Sequence, residues 1–140
     1  MVIQMAKVQY LMEILEELKE NAQQVSEKEV EEMAACILKA ERIFVAGAGR
    51  SGFAARAFAN RLMHLGLNVF FVGEPTTPAV GGGDLLIIGS GSGETESLVV
   101  MAQKARRLKA AVATVTIHPE ASIGRLSECR IVLPGATPKS

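Results

Sequence analysis

The chain has 140 residues, 49% hydrophobic and 21% charged, with 15 basic and 15 acidic side chains that balance to zero formal charge. That is long enough to bury a core and too apolar for a disordered chain, and the neutral balance excludes a large non-specific attraction to nucleic acid. No apolar run approaches the ~20 residues of a membrane span, the N-terminus lacks a signal-peptide layout, and aromatics at 4% without Trp leave little for base stacking.

Val8, Leu11, Leu15 and Leu18 recur at helical spacing, with Met12 and Ile14 widening the stripe and glutamates and lysines opposite. A second helix is predicted from Ser26, because Ser26 followed by Glu29 fits a capping box, with Val30, Met33, Ile37 and Leu38 on one face. Arg42–Ala46 reads as a first strand and runs into a glycine loop. A helix follows over Ser51–Leu65, closed by Gly66 at its C′ position. Asn68–Val72 is a second buried strand, left through a loop of Gly73, Glu74, Pro75, Thr76, Thr77 and Pro78. Asp84–Ile88 is strand three, and after a second glycine loop Glu94–Lys109 is a helix that buries Leu98, Val99, Ala102, Ala105 and Leu108. Ala111–Ile117 is strand four, Pro119 begins a short helix with Ile123 and Leu126 inward, Cys129–Leu133 is strand five, and the tail from Pro134 is extended.

Short apolar strands separated by helices argue for α/β architecture: a doubly wound, five-stranded parallel sheet flanked by helices, in one domain over 1–140. Right-handed crossovers put every strand-to-helix loop on one edge, where ligands of open α/β sheets bind. Both glycine loops, the Glu74 loop and His118 fall there.

The two loops carry the chemistry. One reads Ala46-Gly47-Ala48-Gly49-Arg50-Ser51-Gly52, the other Gly89-Ser90-Gly91-Ser92-Gly93-Glu94-Thr95. Each joins an apolar run to a helical run, and a helix N-terminus offers unpaired N–H groups and partial positive charge to a phosphate. Gly47-x-Gly49-x-x-Gly52 also matches the dinucleotide fingerprint, with Glu74 where the ribose-binding acid belongs. Against that stand the two leading helices, the extra hydroxyls of Ser90, Ser92 and Thr95, and a length without room for a separate substrate domain. The two cysteines, Cys36 and Cys129, have no metal-type spacing and read as reduced, buried thiols of a cytoplasmic protein. Asp84 is the only aspartate, so acid–base work falls to glutamates, to His64 or His118, or to another chain.

Taken together, AGAGRSGFAARAFANRLMHLGLNVFFVGEPTTPAV, GGDLLIIGSGSGETESLV and VTIHPEASIGRL resemble the sugar isomerase (SIS) domain family, most of all its 6-phospho-3-hexuloisomerase branch. GSGSGET alone points to the SIS domain; AGAGRSG, RLMHLG and the GE-x-T-x-P-A pattern narrow it to the branch. The resemblance implies interconversion of 3-hexulose 6-phosphate and fructose 6-phosphate through a cis-enediol, without metal or organic cofactor. It also implies a homotetramer with active sites at subunit interfaces. By position it makes Ser51, Ser90, Ser92 and Thr95 the phosphate holders, with Gly49, Gly91 and Gly93 letting the backbone approach. The other use for Ser51 and Ser92 is helix capping. Arg50 is read as reaching the sugar or phosphate, or as pairing with an acid across a subunit contact. Thr76 and Thr77 are read as lining the sugar pocket, and Glu94 and Glu96 as facing away from the phosphate oxygens.

Isomerisation needs a base near neutral pKa and a donor for the developing oxyanion. The resemblance suggests His64 for proton handling, delivered by a neighbouring subunit; in the last turn of its helix, an imidazolium also suits the dipole without catalysis. Relatives continue past the position of Ser140 through a segment with a catalytic glutamate and a closing helix. The expectation is therefore that these 140 residues bind phosphosugars, isomerise poorly and leave apolar surface bare. The other functional class is a non-catalytic sugar-phosphate-binding module.

Overall fold

The structure, a computed structural model, describes the backbone of residues 2–135 and the side chains of residues 8–135; the part of the extended tail predicted beyond Gly135 lies outside the described residues. Two leading helices, α1 (Val2–Gln23) and α2 (Glu27–Lys39), precede β1 (Ile43–Gly47), α3 (Gly49–His64), β2 (Val69–Phe71) and β3 (Leu85–Gly89). Then come α4 (Glu96–Arg107), β4 (Ala111–Thr116), α5 (Ser122–Leu126) and β5 (Cys129–Val132). The strands form one sheet in the order β2-β1-β3-β4-β5, every pairing parallel.

Side chains alternate across each strand, so the sheet has two apolar faces. Ile43, Val45, Leu85, Ile87 and Ala113 pack with Met33 of α2 and Ala55, Ala59 and Leu62 of α3. Phe44, Leu86, Ile88 and Val112 pack with Leu98, Ala102 and Ala105 of α4 and Ile123 of α5. Burying each large branched side chain contributes about 1.5–3 kcal/mol. The small residues of α3 and α4 let both helices lie close on the strands. The expected doubly wound parallel sheet is therefore what forms.

The helix ends follow local chemistry. Ser26 caps α2, its hydroxyl accepting from the Glu29 N–H at 3.2 Å. The Glu29 carboxylate does not close the box; it crosses to β5 and accepts the Val132 N–H at 3.0 Å, covering a polar group on an edge strand. Gly66, at φ +88, ends α3 in a Schellman motif, with Leu67 N–H bonded to Leu62 O and Gly66 N–H to Met63 O. Lys109 does the same for α4 at φ +68, without the freedom of glycine.

Several expectations are corrected. Leu38 is 76% exposed and Val30 lies outside the core, so α2 buries a narrower face, centred on Met33. Leu108 is exposed beyond the end of α4. The cysteines are not free thiols: Cys36 and Cys129 are joined as a disulfide, and Cys36 is only half-buried. The reason is spatial, since α2 packs directly on β5, which brings together residues 93 apart in sequence.

Asp84 is structural. Its buried carboxylate accepts from Arg42 Nε at 2.9 Å, Arg42 Nη2 at 2.5 Å and the Gly81 N–H at 2.7 Å. The hydrogen bonds from Arg42, more than offsetting burial, hold its carboxyl below the usual carboxylate range. The pair pins the 79–84 connection to the start of β1, on the edge of the sheet away from the glycine loops.

Candidate functional site

The chain runs from β1 outward to β2, then returns to the other side of β1 for β3, so strand order reverses between β1 and β3. A crevice opens at the carboxyl ends of such a pair. Both glycine loops leave from it, with Gly47 and Gly89 in register as direct neighbours.

In the first loop, α3 begins at Gly49 (φ +58) and lies hard against β1. A Cβ on Gly52 would sit 2.9 Å from the Gly47 carbonyl oxygen, and one on Gly47 would sit 3.0 Å from Gly52 Cα. These two glycines serve the strand–helix contact. The N-cap is Ala48, which has no side-chain oxygen to offer, so Ser51 sits in the first turn and does not cap. The N–H groups of Arg50 and Ser51 have no acceptor within the fold among the described residues.

The second loop is wired internally through its serines. The buried Ser90 hydroxyl accepts the Gly93 N–H at 3.1 Å, and Ser92 Oγ accepts the Glu94 N–H at 3.1 Å. Used as acceptors, both hydroxyls keep their own protons to donate. Thr95 is the N-cap of α4, and its hydroxyl makes no capping bond. The N–H groups of Gly91, Ser92, Thr95, Glu96 and Ser97 also have no acceptor in the fold among the described residues. Gly93 takes φ +70, where a Cβ would meet Ala121 Cβ at 2.9 Å.

Glu94 turns away from this concentration of donors. Its carboxylate accepts the Ser122 hydroxyl at 2.6 Å and the Ser122 N–H at 2.9 Å, and these bonds lower its pKa. It therefore ties the second loop to the start of α5. Pattern reading missed Thr114 and Thr116, whose hydroxyls donate to Ile88 O at 2.7 Å and Gly91 O at 3.2 Å. Their signal was there: two threonines at i and i+2 share one face of an otherwise apolar strand.

Other expected residues lie further out. Arg50 is exposed at the start of α3. Thr76 is exposed in the loop after β2, whereas Thr77 is committed to the fold, its hydroxyl donating to Phe71 O at 2.8 Å. In that same loop Glu74, the residue placed for a ribose, accepts from Arg56 of α3, whose guanidinium stacks 4.2 Å from the Phe71 ring centroid. His118 stands at the ligand edge with its Nδ1 3.4 Å from Glu120. His64 is exposed at the far end of α3, a helix of 16 residues. At 1.5 Å per residue it lies about 22 Å along the axis from Gly49, so its own protomer does not bring it to the loops.

Below the loops the crevice continues as a cleft of about 330 Å³. Ser51, Gly89, Ser90, Gly91 and Thr116 form its polar mouth, while Val45, Phe58, Ile87, Val115, Ile117 and Leu133 line an apolar body. Among the described residues no three His, Cys, Asp or Glu side chains are grouped to hold a metal ion, and no helix is long and apolar enough to cross a membrane.

Comparison with known proteins agrees with this geometry. The SIS domain family model matches residues 36–139. The 3-hexulose-6-phosphate isomerase of Bacillus subtilis (strain 168) is 50% identical over 132 residues, spanning 94% of this chain and 71% of that protein. That of Mycobacterium gastri is 40% identical over 123 residues, 88% of this chain and 62% of its own length. Among solved structures, a hypothetical protein from Methanococcus jannaschii superimposes with a TM-score of 0.74 at 38% identity, over 80% of this chain and 63% of its own. Its structure was taken to infer a molecular function of 3-hexulose-6-phosphate isomerase.

Proposed function

This chain belongs to the SIS domain family, and on that premise we propose that it is a phosphosugar isomerase interconverting 3-hexulose 6-phosphate and fructose 6-phosphate through a cis-enediol. One observation carries the reading. Two hydroxyl-bearing loops leave adjacent strands at the switch point, and among the described residues two backbone N–H groups of the first and five of the second have no acceptor in the fold, in a chain half identical to a protein named for that reaction.

In this reading the phosphate dianion takes the Ser51, Ser90, Ser92 and Thr95 hydroxyls together with unpaired N–H groups of both loops. Each charge-assisted hydrogen bond contributes roughly 1.5–3 kcal/mol. Gly49, Gly91 and Gly93 admit the backbone to the phosphate, Arg50 reaches over it, and Thr76 borders the sugar. With the phosphate anchored, the sugar carbons extend over the mouth of the cleft. A base there removes the proton from the carbon beside the carbonyl, a donor stabilises the enediolate oxygen, and the proton returns to the neighbouring carbon. We assign His64 of a neighbouring subunit to this proton handling, in a tetramer whose sites lie at subunit contacts. Phe53 and Met63 of α3 and its C-cap residue Leu65 are exposed apolar side chains that such a contact would cover. We further read the chain as one cytoplasmic SIS domain working without cofactor.

The distance of His64 from its own loops favours a second reading for an isolated protomer, that of a sugar-phosphate-binding module. Thermal shifts with fructose 6-phosphate, inorganic phosphate and NAD side by side, followed by a coupled isomerase assay, decide between them. The proposal expects stabilisation by the first two ligands, none by NAD, and turnover that falls at least 100-fold in His64→Ala. Stabilisation by NAD alone overturns the phosphosugar site, and phosphosugar binding without turnover leaves the binding module.

A further inference from the structure

The chain's disulfide joins a shielded sulfur to a reachable one. Cys36 and Cys129 are bonded across 93 positions, tying α2 to β5. Cys129 is 7% exposed on its strand. Cys36 is half-buried and lines a cleft of about 320 Å³. Glu41, Asp84 and Lys109, each just before a strand, share that cleft, so it opens on the edge opposite the glycine loops. Its charges are unequal. Asp84 is paired with Arg42 and Glu128 with Arg106. Among the described residues that leaves Glu41 as the one unpaired carboxylate of the lining, against the exposed ammonium groups of Lys39 and Lys109.

We infer that Cys36 is a thiol-exchange site: a small anionic thiol enters this cleft, attacks Cys36 and opens the crosslink, which makes the α2–β5 contact a reversible redox latch. Exchange runs through a mixed disulfide, and access selects the sulfur that is attacked. The incoming thiolate bonds to Cys36 Sγ, the bond to Cys129 breaks, and its electron pair leaves on Cys129 Sγ, which takes up a proton. A second small thiolate attacks the first one's sulfur, and Cys36 departs as a thiolate and is protonated. Two small thiols are thereby oxidised to one disulfide, while the protein's disulfide is reduced to two thiols. Excess small disulfide drives the reverse and closes the latch.

Both states have a place in the fold. The Cys129 sulfur lies 3.7 Å from the Glu32 carbonyl oxygen, an acceptor for its S–H once the crosslink opens. Met33 stays in the core and the Glu29 carboxylate stays on the Val132 N–H, so α2 remains docked without the bond. What opening removes is the constraint on the unfolded chain, which is large for a closure of this length. The lysines select the thiol, a glutathione-like one whose carboxylates they can meet. The inference makes no use of the isomerase reading.

The full chain, equilibrated with oxidised or with excess reduced glutathione and quenched in acid, is titrated with Ellman's reagent in guanidinium. Its two cysteines are expected to give no reactive thiol in the first case and both in the second. Reduction should lower the melting temperature by at least about 5 °C with the melt still cooperative, and oxidised glutathione should restore it. By mass spectrometry of the native protein, oxidised glutathione labels Cys36 in Cys129→Ser at least tenfold faster than it labels Cys129 in Cys36→Ser. Should either serine variant fail to fold, the mixed disulfide trapped by acid while the wild type opens carries glutathione on Cys36. Lys39→Gln with Lys109→Gln slows opening by glutathione at least threefold and leaves opening by uncharged 2-mercaptoethanol within twofold. Two free thiols after oxidised glutathione, a melting temperature unmoved by reduction, or an adduct chiefly on Cys129 each overturns the site. Equal effects of the lysine pair on both thiols overturn the choice of an anionic one.

Discussion

Gly52→Ala tests the geometry that joins fold to site. The added Cβ would lie 2.9 Å from the Gly47 carbonyl oxygen and 3.1 Å from its carbon, both rigid backbone, whereas ordinary contact begins near 3.4 Å. The start of α3 must therefore lift from β1 by about 0.5 Å, and overpacking of this kind costs about 1–3 kcal/mol of stability. The same displacement moves the N–H groups of Arg50 and Ser51 and the Ser51 hydroxyl relative to the second loop. Weakening one charge-assisted hydrogen bond to the phosphate by about 1.5 kcal/mol predicts roughly tenfold weaker binding of fructose 6-phosphate. Gly49→Ala is the comparison for stability alone, because Gly49 itself faces the phosphate in the proposed site. Its φ of +58 imposes strain of about 1–2 kcal/mol, but nothing lies within 4 Å of the new Cβ. Urea melts and calorimetric titration with fructose 6-phosphate report the two quantities separately. Gly52→Ala with wild-type midpoint and affinity within twofold refutes the argument that this contact sets the loop.

Asp84→Asn removes the charge from a buried carboxylate that accepts three hydrogen bonds, and is expected to cost about 2–4 kcal/mol in urea melts at pH 7. The Asp84 pKa is lowered by folding, so its contribution is present above the unfolded pKa of about 3.9 and is lost as pH falls through the folded value. The variant should therefore lose part of the wild-type acid limb below about pH 4; an identical limb refutes the assignment. Lys109→Gly should raise stability by about 0.5–1 kcal/mol, because Lys109 holds φ +68 at the end of α4 without a glycine's freedom. A lower urea midpoint for that variant would show that the lysine side chain outweighs the strain.

What could be read directly from the residues is what short-range chemistry controls. Alternating apolar strands and helical stripes specified the parallel sheet. Ser26 and Gly66 marked helix ends because capping involves neighbours within a few residues. The two glycine loops stood out because glycine and hydroxyls cluster where a strand meets a helix N-terminus, and the switch point then followed from strand order. What tertiary structure decided is which residues meet across the chain. The Arg42–Asp84 pair, the Cys36–Cys129 link and the Glu29 carboxylate on β5 each join residues tens of positions apart, and no local pattern encodes such a meeting. The same holds for burial. Leu38 and Leu108 look like core by period but face solvent, because a helix buries only the arc its neighbours can reach. His64 shows the limit from the other side: its residue type suits proton transfer, but the length of α3 sets it at the opposite end of the protomer from the glycine loops, consistent with the expectation that a neighbouring subunit delivers it. Sequence determines which chemistries are available, since that depends on side chains and their nearest neighbours; which of them share a site depends on distances that only folding creates.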